Sequence, residues 1–155
     1  MSIEAFKSTE MGADYRGYPT NDHGKLRIQF FDLPATSVAG DAGTTIDLCK
    51  LPFGRQRILP SMSRLKHSAF GSSRTLKVGH LAYSKTDDSI EGADDDALTP
   101  SPIDVSSAGN NVVLSASLLK FDIFSKAGVT IQALVEGGTI PLGATLSGYI
   151  VYVSE

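Results

Sequence analysis

The chain has 155 residues, enough for one domain with a sizeable hydrophobic core, and it carries a formal net charge of −3. The lack of a basic stripe argues against a dedicated nucleic-acid-binding protein, and a single cysteine excludes an intrachain disulfide and a cysteine-based zinc site. No segment resembles a signal peptide or a membrane span, so we expect a protein made in a cytosol, with neither membrane nor nucleic-acid partners.

Residues 1–24 are predicted to form an extended N-terminal arm without a core of its own. Charged residues, glycines and serines alternate there with isolated apolar residues. Tyr15 and Tyr18 are candidates for pinning the arm to a neighbouring surface, because tyrosine is a favoured anchor at protein interfaces. A frayed tail is the alternative.

The first predicted strand covers residues 25–33. Its alternation predicts that Leu26, Ile28 and Phe30 face inward, with polar residues between them. Pro34 ends the strand.

Two short strands follow, at residues 44–51 and 55–59. The first holds Cys49, which we interpret as a buried, inert thiol. The second is basic and lies between Pro52 and Pro60, and the flanking prolines favour a position at a sheet edge.

Residues 64–70 and 75–83 are the next predicted strands. The Gly71-Ser72-Ser73 loop between them has a length typical of a β-hairpin. The pattern then gives way to an acidic loop at residues 84–102, which we expect to be solvated and mobile. Its carboxylates do not keep the register of a calcium-binding loop, although opportunistic cation binding by residues 94–96 stays open.

The last part of the chain, residues 118–155, is predicted to form three strands around which the domain is built. Residues 129–136 alternate with period two, as expected of a strand with one buried face. The final strand is apolar on both sides, with Tyr149, Val151 and Val153 on one of them. Such a strand belongs in the middle of a sheet, or has one face on the core and the other on a neighbouring subunit.

Counting the segments gives about eight or nine strands at near-regular spacing. Residues 112–119 are open to a helical interpretation, but the preceding Asn-Asn turn and two valines favour a strand. The sequence therefore predicts a single-domain, all-β protein, a jelly-roll-like β-sandwich or barrel over residues 25–155.

No recognisable catalytic, metal or cofactor motif occurs in the sequence. His23, His67 and His80 lack metal-ligand spacing, and His80, on an apolar strand face, is best explained as a hydrogen-bonded core or interface residue. A Gly-x-Ser-x-Gly elbow, a phosphate-binding glycine loop and a paired-carboxylate site are also missing. We expect no enzyme activity and no cofactor.

The charges are distributed unevenly along the chain. Basic residues gather between positions 54 and 78 and acidic residues at 87–96, which predicts one basic and one acidic surface. Such asymmetry suits docking onto a charged protein lattice. A solvated strand face is the competing interpretation.

Several stretches resemble small structural proteins of tailed bacteriophages that accompany the major capsid protein. They are residues 50–59 (Lys-Leu-Pro-Phe-Gly-Arg-Gln-Arg-Ile-Leu), 62–65, 68–76, 78–80, 82–83, 121–130 (Phe-Asp-Ile-Phe-Ser-Lys-Ala-Gly-Val-Thr) and 138–149. The resemblance begins near residue 25 and weakens through the acidic loop, and the arm has no counterpart.

The resemblance implies a head-decoration or cement protein, commonly a homotrimer, on the outer surface of the capsid and bridging major capsid proteins. On that basis Tyr149, Val151 and Val153 are assigned to the oligomer interface. Tyr15, Tyr18, Arg55 and Arg57 are assigned to the capsid interface. Two other classes stay open: a head-tail or fibre-base component, present in few copies, and a carbohydrate-binding jelly roll, which the absence of tryptophan disfavours.

Overall fold

A computed structural model describes residues 25–33, 35, 36, 40, 41 and 43–155. The regular structure in these residues is entirely β. The strands are β1 (Lys25–Leu33), β2 (Thr45–Leu51), β3 (Gly54–Ile58), β4 (Arg64–His67), β5 (Thr75–His80), β6 (Tyr83–Ser84), β7 (Ile90–Glu91), β8 (Ile103–Asp104), β9 (Gly109–Val113), β10 (Phe121–Ser125), β11 (Val129–Glu136) and β12 (Leu146–Ser154). The predicted arm, with Tyr15, Tyr18 and His23, lies outside the described residues.

The strands form two antiparallel sheets and a short ribbon. The larger sheet contains β1, β3, β4, β9, β10 and β12, the second sheet has the order β2-β11-β5-β8, and β6 pairs with β7. The prediction of a single-domain, jelly-roll-like all-β fold is confirmed. No helix in the described part of the chain is long and apolar enough to cross a membrane.

Strand β12 is the centre of the larger sheet. It pairs with β1 along its whole length, from Lys25 opposite Ser154 to Leu33 opposite Leu146. Since that edge is filled, β3 and β4 lie one after the other along the opposite edge, next to residues 152–154 and 146–149 respectively. The prediction that the last strand lies in the middle of a sheet is therefore confirmed.

Ser63 bridges the break between β3 and β4. It is fully buried, and its hydroxyl accepts the N–H of Val151 at 2.9 Å while donating to the carbonyl of Leu59, also at 2.9 Å. The N–H of Leu59 in turn donates to the carbonyl of Val151 at 2.8 Å. The backbone of β12 thus stays hydrogen-bonded where its neighbouring strand is interrupted.

The core lies between the two sheets. Strand β11 places Val129, Ile131, Ala133 and Val135 there, each at most 2% exposed, as its alternation predicts. Strand β12 contributes its other face to the same cluster, with Leu146, Ile150 and Tyr152. One apolar face of β12 covers this core. The other apolar face lies on the outside of the larger sheet.

The predicted hairpin of residues 64–70 and 75–83 is wrong. Strand β4 belongs to the larger sheet and β5 to the second sheet, so the chain crosses the sandwich between them. Phe70, 1% exposed, anchors the crossing in the core, and its N–H donates to the carbonyl of Val105 at 2.8 Å. A turn-like sequence between two strands permits a hairpin, but it does not determine that these two strands pair with each other.

The expected edge position of the basic strand is also wrong. Strand β3 lies between β10 and β12, in the interior of the larger sheet. Pro52 and Pro60 stand outside β3, so neither removes a ladder N–H from it.

The prediction for the first strand is wrong: the face that was expected to point inward points outward. Leu26, Ile28 and Phe30 are 59%, 51% and 68% exposed, whereas Phe31 is 6% exposed and Leu33 packs against the core. Strand β1 is apolar at both parities near its end. Alternation alone therefore does not tell which face is covered.

Two other segments were less certain from the sequence. Residues 112 and 113 belong to β9, as the strand interpretation required, whereas residues 114–119 form neither strand nor helix. The acidic loop contains the β6–β7 ribbon, and Leu98 near its end is fully buried in the core. The N–H of Leu98 donates to the carbonyl of Val78 at 2.9 Å, so the loop is anchored to β5.

Candidate interaction surface

The outside of the larger sheet carries an apolar patch, here called the outer face. It comprises Leu26, Ile28 and Phe30 of β1 and Tyr149, Val151 and Val153 of β12. The register of the two strands places Leu26 opposite Val153, Ile28 opposite Val151 and Phe30 opposite Tyr149. Directly opposed residues of an antiparallel pair lie on the same side of the sheet, so all six lie on the outer side of the larger sheet.

The side chains of the outer face differ in their exposure to solvent. Of the predicted oligomer-interface residues, Tyr149 and Val153 are half-buried, but Val151 is only 4% exposed. The most accessible side chains are those of β1, which the sequence prediction had placed inward. The sequence did contain a warning: Phe31 and Leu33, which alternate with the predicted residues, are also apolar. They could have indicated that the other face of β1 covers the core.

The exposed part of the outer face is apolar. Three β1 side chains, each more than half exposed, present on the order of 300 Å² of apolar surface. A patch of this size is comparable to the largest one on an ordinary monomer, and such patches are often functional.

A group of four charges borders the outer face at β3. Arg57 Nε contacts Asp122 Oδ1 at 3.0 Å and Arg55 Nη1 contacts Glu155 Oε2 at 2.7 Å, with longer cross-contacts of 3.9 Å and 3.8 Å. Arg55 also lies over the ring of Phe124, with its Cζ 5.2 Å from the centroid. The predicted capsid residues Arg55 and Arg57 are therefore side by side, with their charges paired within the chain.

Three other basic residues between positions 54 and 78 differ in whether a carboxylate lies beside them. Lys77 lies 3.1 Å from Glu136 and 4.0 Å from Asp95, and its hydrogen bond to Glu136 is the main cause that raises its pKa. In contrast, no carboxylate of the described residues forms a salt bridge with Arg64 or Arg74. Within the described residues, the charges of Arg64 and Arg74 thus have no counter-ion.

Arg64 lies at the margin of the outer face, opposite Tyr149 on β12. Its Nη1 donates to the carbonyls of Ser61 and Ser63, at 2.7 and 3.0 Å. These two bonds fix the direction of the guanidinium and leave its charge without a counter-ion among the described residues. A positive charge beside an apolar patch is a common composition for an interface.

The described histidines are held by packing and are not brought together. His80, 4% exposed, donates from Nδ1 to the carbonyl of Leu81 at 3.0 Å and lies edge-on to Tyr83 with centroids 5.2 Å apart. His67, 3% exposed, donates to the carbonyl of Ser68 at 2.9 Å. They belong to different sheets. The core interpretation of His80 is confirmed, and His67 is buried in the same way.

The acidic loop brings together a group of carboxylates. Those of Asp94, Asp95 and Asp96 lie within 4.8 Å of one another. A side-chain hydrogen bond with Asp94, together with burial and the neighbouring negative charges, raises the pKa of Asp96. Exposed acidic groups commonly occur this close without a bound ion.

Cys49 is half-buried on β2. Burial raises the pKa of its thiol to about 12, because the charged thiolate loses hydration there. At neutral pH the thiol is protonated and a poor nucleophile, in agreement with the predicted inert role.

No protein-family model matches the sequence, and no curated protein matches it. Among solved structures, a chain of the Cyanophage Pam1 capsid asymmetric unit aligns over 99% of this chain and 100% of that chain, with a TM-score of 0.57 and 14% sequence identity. A chain of the infectious bursal disease virus VP2 subviral particle aligns over 86% of this chain and 42% of that chain, with a TM-score of 0.38 and 8% identity. The first alignment shows a shared fold; the second is too weak to indicate one.

Proposed function

We propose that this protein is a virion structural protein of a tailed bacteriophage, located on the outside of the capsid, where it stabilises the shell by bridging major capsid proteins. The observation that carries the proposal is the end-to-end alignment with a chain of the Cyanophage Pam1 capsid asymmetric unit. The alignment covers that chain completely, so the two chains are similar in length and fold. The resemblance of the sequence to head-decoration proteins points in the same direction.

The arrangement of surfaces fits a protein whose partners are other proteins. The outer face offers apolar area for contact between subunits, which we propose to be those of a homotrimer. Tyr149 and Val153 take part in it together with Leu26, Ile28 and Phe30. Internal pressure from a packed genome pulls capsomers apart, and a clamp present in many copies resists it through small interfaces multiplied by symmetry.

Charged side chains and the arm supply the contact with the capsid in this proposal. Arg64 and Arg74 have no salt-bridge partner among the described residues and suit acidic groups on the shell. Arg55 and Arg57 act there as a pre-arranged charge group, and Tyr15 and Tyr18 act as anchors within the arm.

Binding to capsids tests the proposal directly. Capsids assembled with the gene for this chain deleted are mixed with the purified protein, and occupancy is measured by cosedimentation and electron microscopy. We expect many copies in a symmetric arrangement on the outer surface. Deletion of residues 1–24 and the charge reversal Arg64→Glu should each weaken binding, whereas Ile90→Ala, at a 75% exposed site on β7, should not. Absence of binding, or a few copies at one vertex, would rule out a decoration role.

A further inference from the structure

Strand β1 has one edge without a ladder partner in the described part of the chain. Its other edge is filled by β12, and although β2 lies nearby, it belongs to the second sheet and forms no ladder with β1. We propose that this edge pairs with β1 of a second copy of the chain, antiparallel and in a register centred on Ile28. The pairing concerns self-association alone and does not rest on the proposed capsid role.

The edge of β1 lacks three of the features that usually prevent strand addition, although Lys25 and Arg27 place charges on it. Protected edges are short, bulged, interrupted by proline or charged. Strand β1 is nine residues long, its register with β12 runs without a shift from Lys25 to Leu33, and its sequence Lys-Leu-Arg-Ile-Gln-Phe-Phe-Asp-Leu has no proline. Residues 25–28 are exposed at every position, so side chains on neither face block an approaching strand.

The side chains select the register. In a two-fold antiparallel pairing, opposed residues share a face, and their match determines the stability of each pair. Centring on Ile28 places it opposite its own copy and places Leu26 opposite the second copy's Phe30, so the outer side is apolar throughout the paired residues 25–31. On the inner side, Arg27 opposes the second copy's Gln29, and the guanidinium has an amide oxygen as acceptor.

Neighbouring registers are worse by the same criteria. Centring on Arg27 sets two guanidinium groups opposite one another, and like charges in that position are destabilising. Centring on Gln29 places Leu26 opposite the carboxylate of Asp32. The Ile28 register sets Lys25 opposite Phe31 on the inner side, but of these three registers it alone keeps every outer-side pair within residues 25–31 apolar and avoids opposed like charges.

The pairing would join two outer faces into one continuous surface. Each larger sheet would continue into that of the second copy, and the six β1 side chains that are exposed in two separate chains would shield one another. This contact relates two copies by a two-fold axis, whereas the contact within a trimer relates its copies by a three-fold axis, so the two contacts are distinct. If the chain forms trimers through the outer face, the β1 edge would link neighbouring trimers.

Disulfide crosslinking of variants with one cysteine introduced into β1 tests which residues lie opposite one another. Residues opposite one another in an antiparallel pair have Cα atoms about 4.5–5.5 Å apart, within the range of a disulfide. We expect Ile28→Cys to give a covalent dimer under mild oxidation with diamide. Gln29→Cys should not, since its copies would lie diagonally, about 7–8 Å apart. Phe30→Cys copies would be roughly 14 Å apart and should not react either.

Two controls make the trapping decisive. Wild-type protein carried through the same oxidation reports any reaction of the native Cys49. The double variant Leu26→Cys with Phe30→Cys should crosslink although neither single variant does. Reaction at Gln29→Cys in place of Ile28→Cys, equal reaction at all positions, or no reaction at Ile28→Cys would each overturn the proposal.

A charge exchange provides a second test that does not use cysteine. Ile28→Lys and Ile28→Glu should each sediment as the smaller species at concentrations where the wild type associates, because like charges then meet at the two-fold axis. An equimolar mixture of the two variants should associate again. Because Ile28 is 51% exposed, neither substitution disturbs the core. Unchanged association of both separate variants would contradict the pairing.

Discussion

Phe30 and Tyr149 face one another across β1 and β12, with ring centroids 5.9 Å apart and an angle of 66° between the ring planes. The edge-to-face contact fastens the edge strand to the central strand of the sheet. Phe30 nevertheless remains 68% exposed. The pair therefore stabilises the outer face and at the same time offers it to a partner.

Substitution at this pair should separate the subunits. Phe30→Asp and Tyr149→Asp each place a carboxylate in the outer face, and we expect the dissociation constant for self-association to rise by roughly 10- to 100-fold. Light-scattering mass measured against concentration checks the result. Ile90→Asp, at another exposed site, is the matched control, and an unchanged mass for both outer-face variants would exclude this surface as the contact.

Truncation of Leu98 should destabilise the fold although it lies in the acidic loop. Its side chain is fully buried, so Leu98→Ala should lower the free energy of unfolding by about 2–5 kcal/mol. Ile90→Ala, in the same loop but 75% exposed, should change it by less than about 0.5 kcal/mol. Urea denaturation compares the two, and equal effects would mean that the loop is not anchored in the core.

Loss of the Ser63 hydroxyl should weaken the larger sheet where β3 and β4 are interrupted. Ser63→Ala leaves the N–H of Val151 without its acceptor, at a cost of about 1–3 kcal/mol in unfolding free energy. Ser107→Ala, at an exposed position, serves as the control. Hydrogen exchange at the Val151 amide should also become faster, which a general loss of packing would not confine to this site.

Alkylation of Cys49 should be slow in the folded protein. A rise of its pKa from 9.0 to about 12 lowers the thiolate fraction near pH 8 about a thousandfold. We expect iodoacetamide to react rapidly only after denaturation, and Ile90→Cys, at a 75% exposed site, to add one thiol that reacts in the native state. Because the folded pKa is the higher one, ionisation in the unfolded chain should lower stability as the pH rises above 9.0. Fast native alkylation of the wild type would contradict the burial of this thiol.

Local patterns were most informative in the last third of the chain. The alternation of residues 129–136 correctly identified both a strand and its buried face, because only one parity there is consistently apolar. In β1 the same reasoning chose the wrong face, since Phe31 and Leu33 compete with Leu26, Ile28 and Phe30. The outer face was thus only half predictable: its β12 residues were found, and its most exposed residues were assigned to the core.

The sequence by itself determined that the described chain is a series of β-strands, because alternation, turn residues and β-branched side chains act over a few neighbouring positions. Only the tertiary structure decided which strands pair, that β3 lies inside a sheet, and that Arg55 and Arg57 meet the carboxylates of Asp122 and Glu155. Strand pairing and ion pairing join residues far apart in the chain. They depend on how the two sheets pack together, which no short stretch of sequence encodes.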